Sequence, residues 1–191
     1  MTIMENYNIN LTNSLKIIVD FLDKNRIDYM LFGGIALGFY GTPRQTFDID
    51  LKINISNNFS QEEFISKLKD ISSIIPQNAN DFINSTSVLP IEINGVKIDL
   101  VFASLPIEID AINKAQLKPF SNISVRVISV EDLILHKIIS TRKKDWVDIE
   151  DLVDKNNYQL DWGYILKHAK ELSLWLDKSD LYENLLRLKN G

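Results

Sequence analysis

Hydrophobic positions along this chain recur with two periods, and the changes between them mark out the elements. Leu15, Ile18, Phe21 and Leu22 return at helical spacing with polar residues between, predicting a helix from about Thr12 to Asn25. Asp28–Phe32 reads as a short buried strand running into Gly33-Gly34, and a short helix from Gly34 to Tyr40 ends at Gly41 with Pro43 beyond. The period then drops to two. Phe47, Ile49, Leu51 and Ile53 point one way and Asp48, Asp50 and Lys52 the other, as in a half-buried strand. Ser60-Gln61-Glu62-Glu63 is a capping box opening a helix to about Ile74, with Phe64, Leu68 and Ile71 inward and Pro76 as its stop.

The second half begins with a hairpin. Asn94-Gly95, the preferred type I′ dipeptide, separates two alternating runs from Leu89 to Phe102. Counting back from the turn sets Ile93 opposite Val96 and Pro90 opposite Asp99, and Pro90, lacking an N–H, argues for an edge position. In the second arm Val96, Ile98, Leu100 and Phe102 share one face, leaving Asp99 on the other, with Lys97. Pro106–Ala115 is weakly helical and Ile123–Ile128 alternates as a strand. Ser129 followed by Asp132 opens a helix over Val130–Thr141, and a basic run, Arg142-Lys143-Lys144, follows it. Two amphipathic helices, about Asp161–Leu176 and Ser179–Leu188, complete an α/β first two-thirds and an all-helical end. Trp146, Trp162 and Trp175 at helical positions are expected in the core.

Composition narrows the chemistry. The absence of cysteine removes disulfides and thiolate catalysis, and with only two histidines a structural zinc site has no ligand set. A bound cation would have to be hard and held by carboxylates. A net charge of −5 argues against broad electrostatic contact with nucleic acid, while leaving room for one end held in a local basic patch. Met1–Asn10 lacks the basic and apolar regions of a secretory signal, and no run is long and apolar enough to span a membrane, so the expected address is the cytoplasm.

Against that background residues 27–52 carry the candidate chemistry. Backbone N–H groups at a helix N-terminus suit phosphate. Carboxylates at i and i+2 of a strand stand roughly 6–7 Å apart on one face and suit a divalent cation. Asp48 and Asp50 alone would favour two solvated strand aspartates. The double glycine before them, Arg44 between, and Asp99 on a later strand shift the balance toward a metal-bound nucleoside triphosphate.

Gly33-Gly34-Ile35-Ala36, then eleven residues, then Asp48-Ile49-Asp50, with Arg44-Gln45-Thr46 just before the aspartates, resembles the DNA polymerase β-type nucleotidyltransferase superfamily. The later Glu131-Asp132-Leu133, His136-Lys137 and Lys144-Asp145-Trp146-Val147-Asp148-Ile149 resemble in particular its AbiEii-like branch of bacterial nucleotidyltransferases, several of them toxins of toxin–antitoxin pairs. The wider superfamily has Gly-Ser where this chain has Gly33-Gly34, and the AbiEii-like branch carries Gly-Gly.

The resemblance implies an α/β (α+β) minimal nucleotidyltransferase fold, a mixed β-sheet flanked by helices. Residues 1–128 would form the core, and residues 129–191 a helical part completing the active-site cleft. It implies transfer of NMP from an NTP to a hydroxyl with release of pyrophosphate. Asp48, Asp50 and Asp99 would hold two Mg²⁺ (or Mn²⁺) and form the catalytic set. Gly33, Gly34, Arg44 and Lys137 would bind the nucleotide, with Thr46 beside them, and either Asp145 or Asp148 would be the family's last acid. The acceptor stays open among a tRNA 3′ end, a protein side chain and a small molecule, and an antitoxin protein is the implied partner. The alternative is a nucleotide- or partner-binding module on the same fold without turnover.

Overall fold

A computed structural model describes residues 9–55, 59–140, 142–178 and 180–190. The first eight residues, on which the signal-peptide expectation rests, Thr141, the expected end of a helix, and Ser179, the expected start of the last one, lie outside them. The chain divides into two compact units, one taking in the chain to Ala36 and Arg44–Ile128, the other Leu37–Pro43 and Ser129–Gly191.

The first unit is built on a seven-stranded mixed sheet: β1 (Asp28–Phe32), β2 (Ile49–Asn54), β3 (Ser73–Ile74), β4 (Val88–Ile93), β5 (Val96–Phe102), β6 (Gln116–Phe120) and β7 (Ile123–Val127). Their order is β3-β4-β5-β2-β1-β7-β6, with β2 at the centre. β2 pairs antiparallel with β1 and parallel with β5, and β1 pairs parallel with β7. The Asn94-Gly95 turn has both residues at positive φ, as a type I′ turn requires, and Ile93 faces Val96 and Pro90 faces Asp99 as counted.

Side-chain alternation sorts the sheet into two faces. Leu31, Ile49, Leu51, Ile53, Ile98 and Leu100 are fully buried on one of them. Helices α1 (Ile9–Lys24) and α3 (Gln61–Leu68) cover that face: Ser14 donates to the Ile93 carbonyl at 2.8 Å, and the Phe64 ring meets Phe102 edge-on at 5.8 Å and Phe21 at 6.2 Å. The opposite face carries Met30, Phe32, Asp50, Lys52 and Asp99, partly covered by α5 (Pro106–Lys114). The predicted polar face is therefore the one that holds the candidate site.

Several elements differ from expectation for local reasons. α3 has its Ser60–Glu63 capping box but stops at Leu68, where the Ser72 N–H and hydroxyl both bond back to the Leu68 carbonyl. The chain then enters β3 instead of continuing to Ile74. α4 (Ala79–Thr86), capped by Asn78 and closed by Ser87 at φ 58°, was not read in the sequence, although Ala79, Phe82 and Ile83 recur there at helical spacing. β4 is one strand in from the edge, because β3 covers its Ile91–Glu92 end. Pro90 is tolerated there: its carbonyl, which lies on the same side as its missing N–H, accepts from Ile75, just past the end of the β3 ladder. β6 was missed because of Pro119, which an edge strand can accommodate. Phe47 lies before β2 and is 72% exposed, so the strand's inward alternation starts at Ile49.

The second unit is helical: the end of α2 (Gly33–Phe39), then α6 (Val130–Ile138), α7 (Lys143–Asn156), α8 (Trp162–Trp175) and α9 (Asp180–Asn190). Ser129 caps α6 by accepting from the Asp132 N–H, as expected, and Asp132 is itself held by the Ser129 and Tyr164 hydroxyls at 2.8 and 2.7 Å. Gly41 takes φ 82° and ends α2, and Asn156 on α7 donates to the Tyr40 carbonyl. Leu133, Ile134, Ile138, Ile149, Leu152, Ile165 and Leu185 make the core of this unit. Trp175 stands 73% exposed at the end of α8, outside the core expected for it, and Trp146 and Trp162 are only half-buried.

Candidate active site

The central pairing of the sheet assembles the site. β2 and β5 run parallel with Asp50 directly opposite Asp99, and on the other side Asp50 is the register partner of Phe32, the last residue of β1. Gly33 follows at once, so the glycine turn is delivered beside the Asp50 carboxylate. A β-carbon built on Gly33 would lie 1.9 Å from Asp50 Oδ2, and the residue takes φ +67°. Glycine is required there on both counts. A β-carbon on Gly34 would lie 2.8 Å from the Thr46 hydroxyl. The Gly34 N–H hydrogen-bonds the Asp50 carboxylate, so this amide of the glycine turn serves a side chain of β2.

Electrostatically this corner is over-supplied with negative charge. Burial pushes the Asp50 carboxyl up, and Asp99 and Asp48 add to the effect, leaving it at about 6 despite the opposing Gly34 hydrogen bond and the Lys97 charge. Asp48 is exposed just before β2. Lys97 binds Asp99 Oδ2 at 2.8 Å, and this hydrogen bond, with the charges of Asp99, Asp48 and Asp50, raises the lysine above its ordinary value. Lys97 thus offsets part of the aspartates' charge. Lys52 takes another partner: it is buried against Glu108 of α5 and lies 5.7 Å from the Phe32 ring centre. Burial pushes Glu108 up, but Lys52 and the Ser104 and Leu105 N–H groups hold it below the ordinary range. Glu108 went unread in the sequence: it accepts from the Ser104 and Leu105 N–H groups at the start of α5, but Leu105 has no side-chain oxygen and so gives no capping-box signal.

Among the described residues no group of three His, Asp or Glu side chains is already arranged around an ion position. The donor set nevertheless fits a hard divalent cation. Burial, with Asp99 and Asp48 adding to it, raises the Asp50 carboxyl, so a cation there would relieve the cost of its charge, and the Lys97 ammonium is already bound on Asp99. Asp48, Asp50 and Asp99 are the residues that would hold it.

Lys137, Asp145 and Asp148 come together in the second unit. Lys137 Nζ lies 2.9 Å from Asp145 Oδ1 and 2.6 Å from Asp148 Oδ2, with all three side chains nearly inaccessible. Asp145 also accepts from Ser140 and from Arg142 Nε, both at 2.6 Å. Burial would push its carboxyl up, but these donors hold it at about 2. Arg44 and Thr46 are half-buried in the segment leading into β2.

No curated protein sequence matches the chain. Among solved structures, the lincomycin-bound lincosamide antibiotic adenylyltransferase LnuA aligns with 73% of this chain and 94% of its own, at 19% identity and a TM-score of 0.50. An antigenic nucleotidyltransferase-like protein from Paracoccidioides brasiliensis aligns with 91% of this chain and 92% of its own, at 16% identity and a TM-score of 0.56. At these identities the likeness establishes the fold, that of the nucleotidyltransferases. Residues 19–181 match the family described as "Nucleotidyl transferase AbiEii toxin, Type IV TA system", and the chain belongs to that family of nucleotidyltransferases.

Proposed function

We propose that this protein transfers a nucleoside monophosphate from a magnesium-bound nucleoside triphosphate to a hydroxyl group and releases pyrophosphate, as the toxin of a toxin–antitoxin pair in the cytoplasm. The observation that carries the reading is the direct pairing of Asp50 with Asp99 on adjacent parallel strands, with the Gly33-Gly34 turn lying against Asp50. Two Mg²⁺, with Mn²⁺ as a substitute, would neutralise triphosphate oxygens and lower the pKa of the acceptor hydroxyl. Asp48, Asp50 and Asp99 orient the reacting groups, and Asp99 takes up the acceptor's proton as its oxygen bonds to the α-phosphorus and the bond to pyrophosphate breaks. Lys97 must leave Asp99 for that carboxylate to serve, which makes it a cation that substrate loading displaces. Arg44 and Lys137 are the proposed partners of triphosphate charge. The family acid is Asp145 or Asp148, both of which are held on Lys137.

The acceptor is a tRNA 3′ end, a protein side chain or a small molecule. Incubating the protein and Mg²⁺ with each α-labelled nucleoside triphosphate and a cell extract tests the proposal: label in RNA, protein or metabolite names the acceptor class. If no fraction is labelled, and Asp48→Ala binds each Mg-NTP as well as the wild type, the reading fails.

A further inference from the structure

Both glycines of the Gly33-Gly34 turn have the space beside their α-carbons filled by side chains from one segment, residues 46–50. Asp50 lies on Gly33, and Thr46 lies on Gly34, its hydroxyl, Cβ and Cγ2 being 2.8, 3.0 and 3.6 Å from the position a β-carbon at residue 34 would take. The turn therefore offers a side-chain hydroxyl, though not from its own residues. That hydroxyl is only weakly used within the protein. It donates to the Asp48 carbonyl at 3.3 Å, well beyond the usual O–H···O separation of about 2.7–2.8 Å. Its neighbours on the segment are the two carboxylates proposed to hold the cation, and Lys97 is bound on Asp99 across from them. A proton that can turn away from a long internal bond, beside a glycine that leaves the approach open, suits an anionic oxygen of the substrate.

We propose that the Thr46 hydroxyl is a side-chain donor to the triphosphate at the glycine turn, standing where a hydroxyl-bearing side chain at position 34 would otherwise reach. This rests on the nucleotidyl-transfer reading above. Thr46 is then a binding residue whose side-chain methyl is dispensable and whose hydroxyl is not. The same geometry makes positions 34 and 46 interchangeable as sources of that hydroxyl, provided only one of them carries it. Gly34→Ser in the wild-type background drives a side chain into Thr46, whereas in a Thr46→Ala background the space is vacant.

Calorimetric titration with Mg²⁺-tripolyphosphate, which needs no base preference, and with each Mg-NTP tests this. Thr46→Val and Thr46→Ala should weaken binding roughly tenfold or more, since a hydrogen bond to a charged group is lost. Thr46→Ser should bind within about threefold of wild type. The double variant Thr46→Ala/Gly34→Ser should recover most of the loss, while Gly34→Ser alone should not bind better than wild type. If Thr46→Val or Thr46→Ala binds as wild type does, or if Thr46→Ser is weakened as much as Thr46→Val, the hydroxyl is not a ligand and the proposal falls. Recovery in the double variant also shows that the Thr46→Ala chain was folded, because a collapsed protein would not be rescued by a second substitution. Asp50→Asn separates the two levels. Wild-type binding that Asp50→Asn abolishes and Thr46→Val spares overturns the hydroxyl role alone. Failure of the wild type to bind any Mg-NTP overturns the function together with it.

Discussion

At Asp50 the fold holds a carboxylate where ionisation is unfavourable. Its folded-state value near 6 lies above the ordinary 3.8, so the folded state binds the proton more tightly than the unfolded one. Stability is then greatest below about pH 4 as far as this residue is concerned, and is lost as pH rises through about 6. Asp50→Asn removes that loss. It should stabilise the metal-free protein at pH 7.5 by about 1–3 kcal/mol while abolishing nucleotidyl transfer. The gain, read as a melting-temperature difference across pH, should fade below pH 6 and vanish near pH 4. A gain that stayed constant with pH would place its origin in packing. Glycine positions offer a matched pair. Gly33→Ala puts a methyl within 1.9 Å of Asp50 at positive φ, whereas Gly95→Ala meets nothing within 4 Å and bears only the φ penalty. Denaturant melts should show about 1 kcal/mol lost at Gly95 and clearly more at Gly33.

Elements explain what could be foreseen. The hairpin register, the Ser60 and Ser129 caps and the sheet face carrying Asp50 and Asp99 were legible because each rests on interactions close in sequence: a turn dipeptide, an i to i+3 bond, a period of two. Adjacency of β2 and β5 was not legible, since nothing local states which strand lies beside which, and the site depends on it. Phe47 was misplaced by extending a true alternation two residues before the start of its strand. Trp175 was misplaced because helical spacing marks a face without saying whether anything covers it. The Lys137–Asp145–Asp148 cluster lies between these cases, with all three residues singled out and only the packing of α6 against α7 revealing their contact. Removing Lys137 leaves two buried carboxylates facing each other. Lys137→Met should lower stability by about 3–5 kcal/mol in thermal melts, so a loss of transfer activity in that variant is interpretable only beside its melting curve. Asp145 has the opposite pH signature to Asp50: its stabilising contribution is present above about pH 4 and lost as pH falls toward 2.

On the scale of the whole molecule, the acid cluster should respond to divalent cations as a folding ligand. Mg²⁺ in excess of its dissociation constant stabilises by mass action, roughly 2.7 kcal/mol at a hundredfold excess, and protons compete for the same oxygens. Millimolar Mg²⁺ should raise the melting temperature by several degrees at pH 7.5 and by less at pH 5. Lys97→Met, which removes the internal counter-charge, should lower the metal-free melting temperature and enlarge the Mg²⁺ increment. Equal increments in the two proteins would mean that Lys97 and the cation do not share a site.

The parallel register of β2 and β5 also has a kinetic consequence. The segments that carry Asp50 and Asp99 are separated by α3, β3, α4 and β4, so their pairing requires closing a long loop, whereas β4 and β5 meet across a two-residue turn. Local hairpins form early and non-local parallel pairs late. Refolding of conservative variants should therefore give φ-values near the top of the protein's range around Asn94-Gly95 and near zero at Ile49 and Ile98. Carboxylates that repel one another are then brought face to face only once the surrounding core is committed, so the repulsion at the site acts mainly on the rate of unfolding and little on the rate of folding.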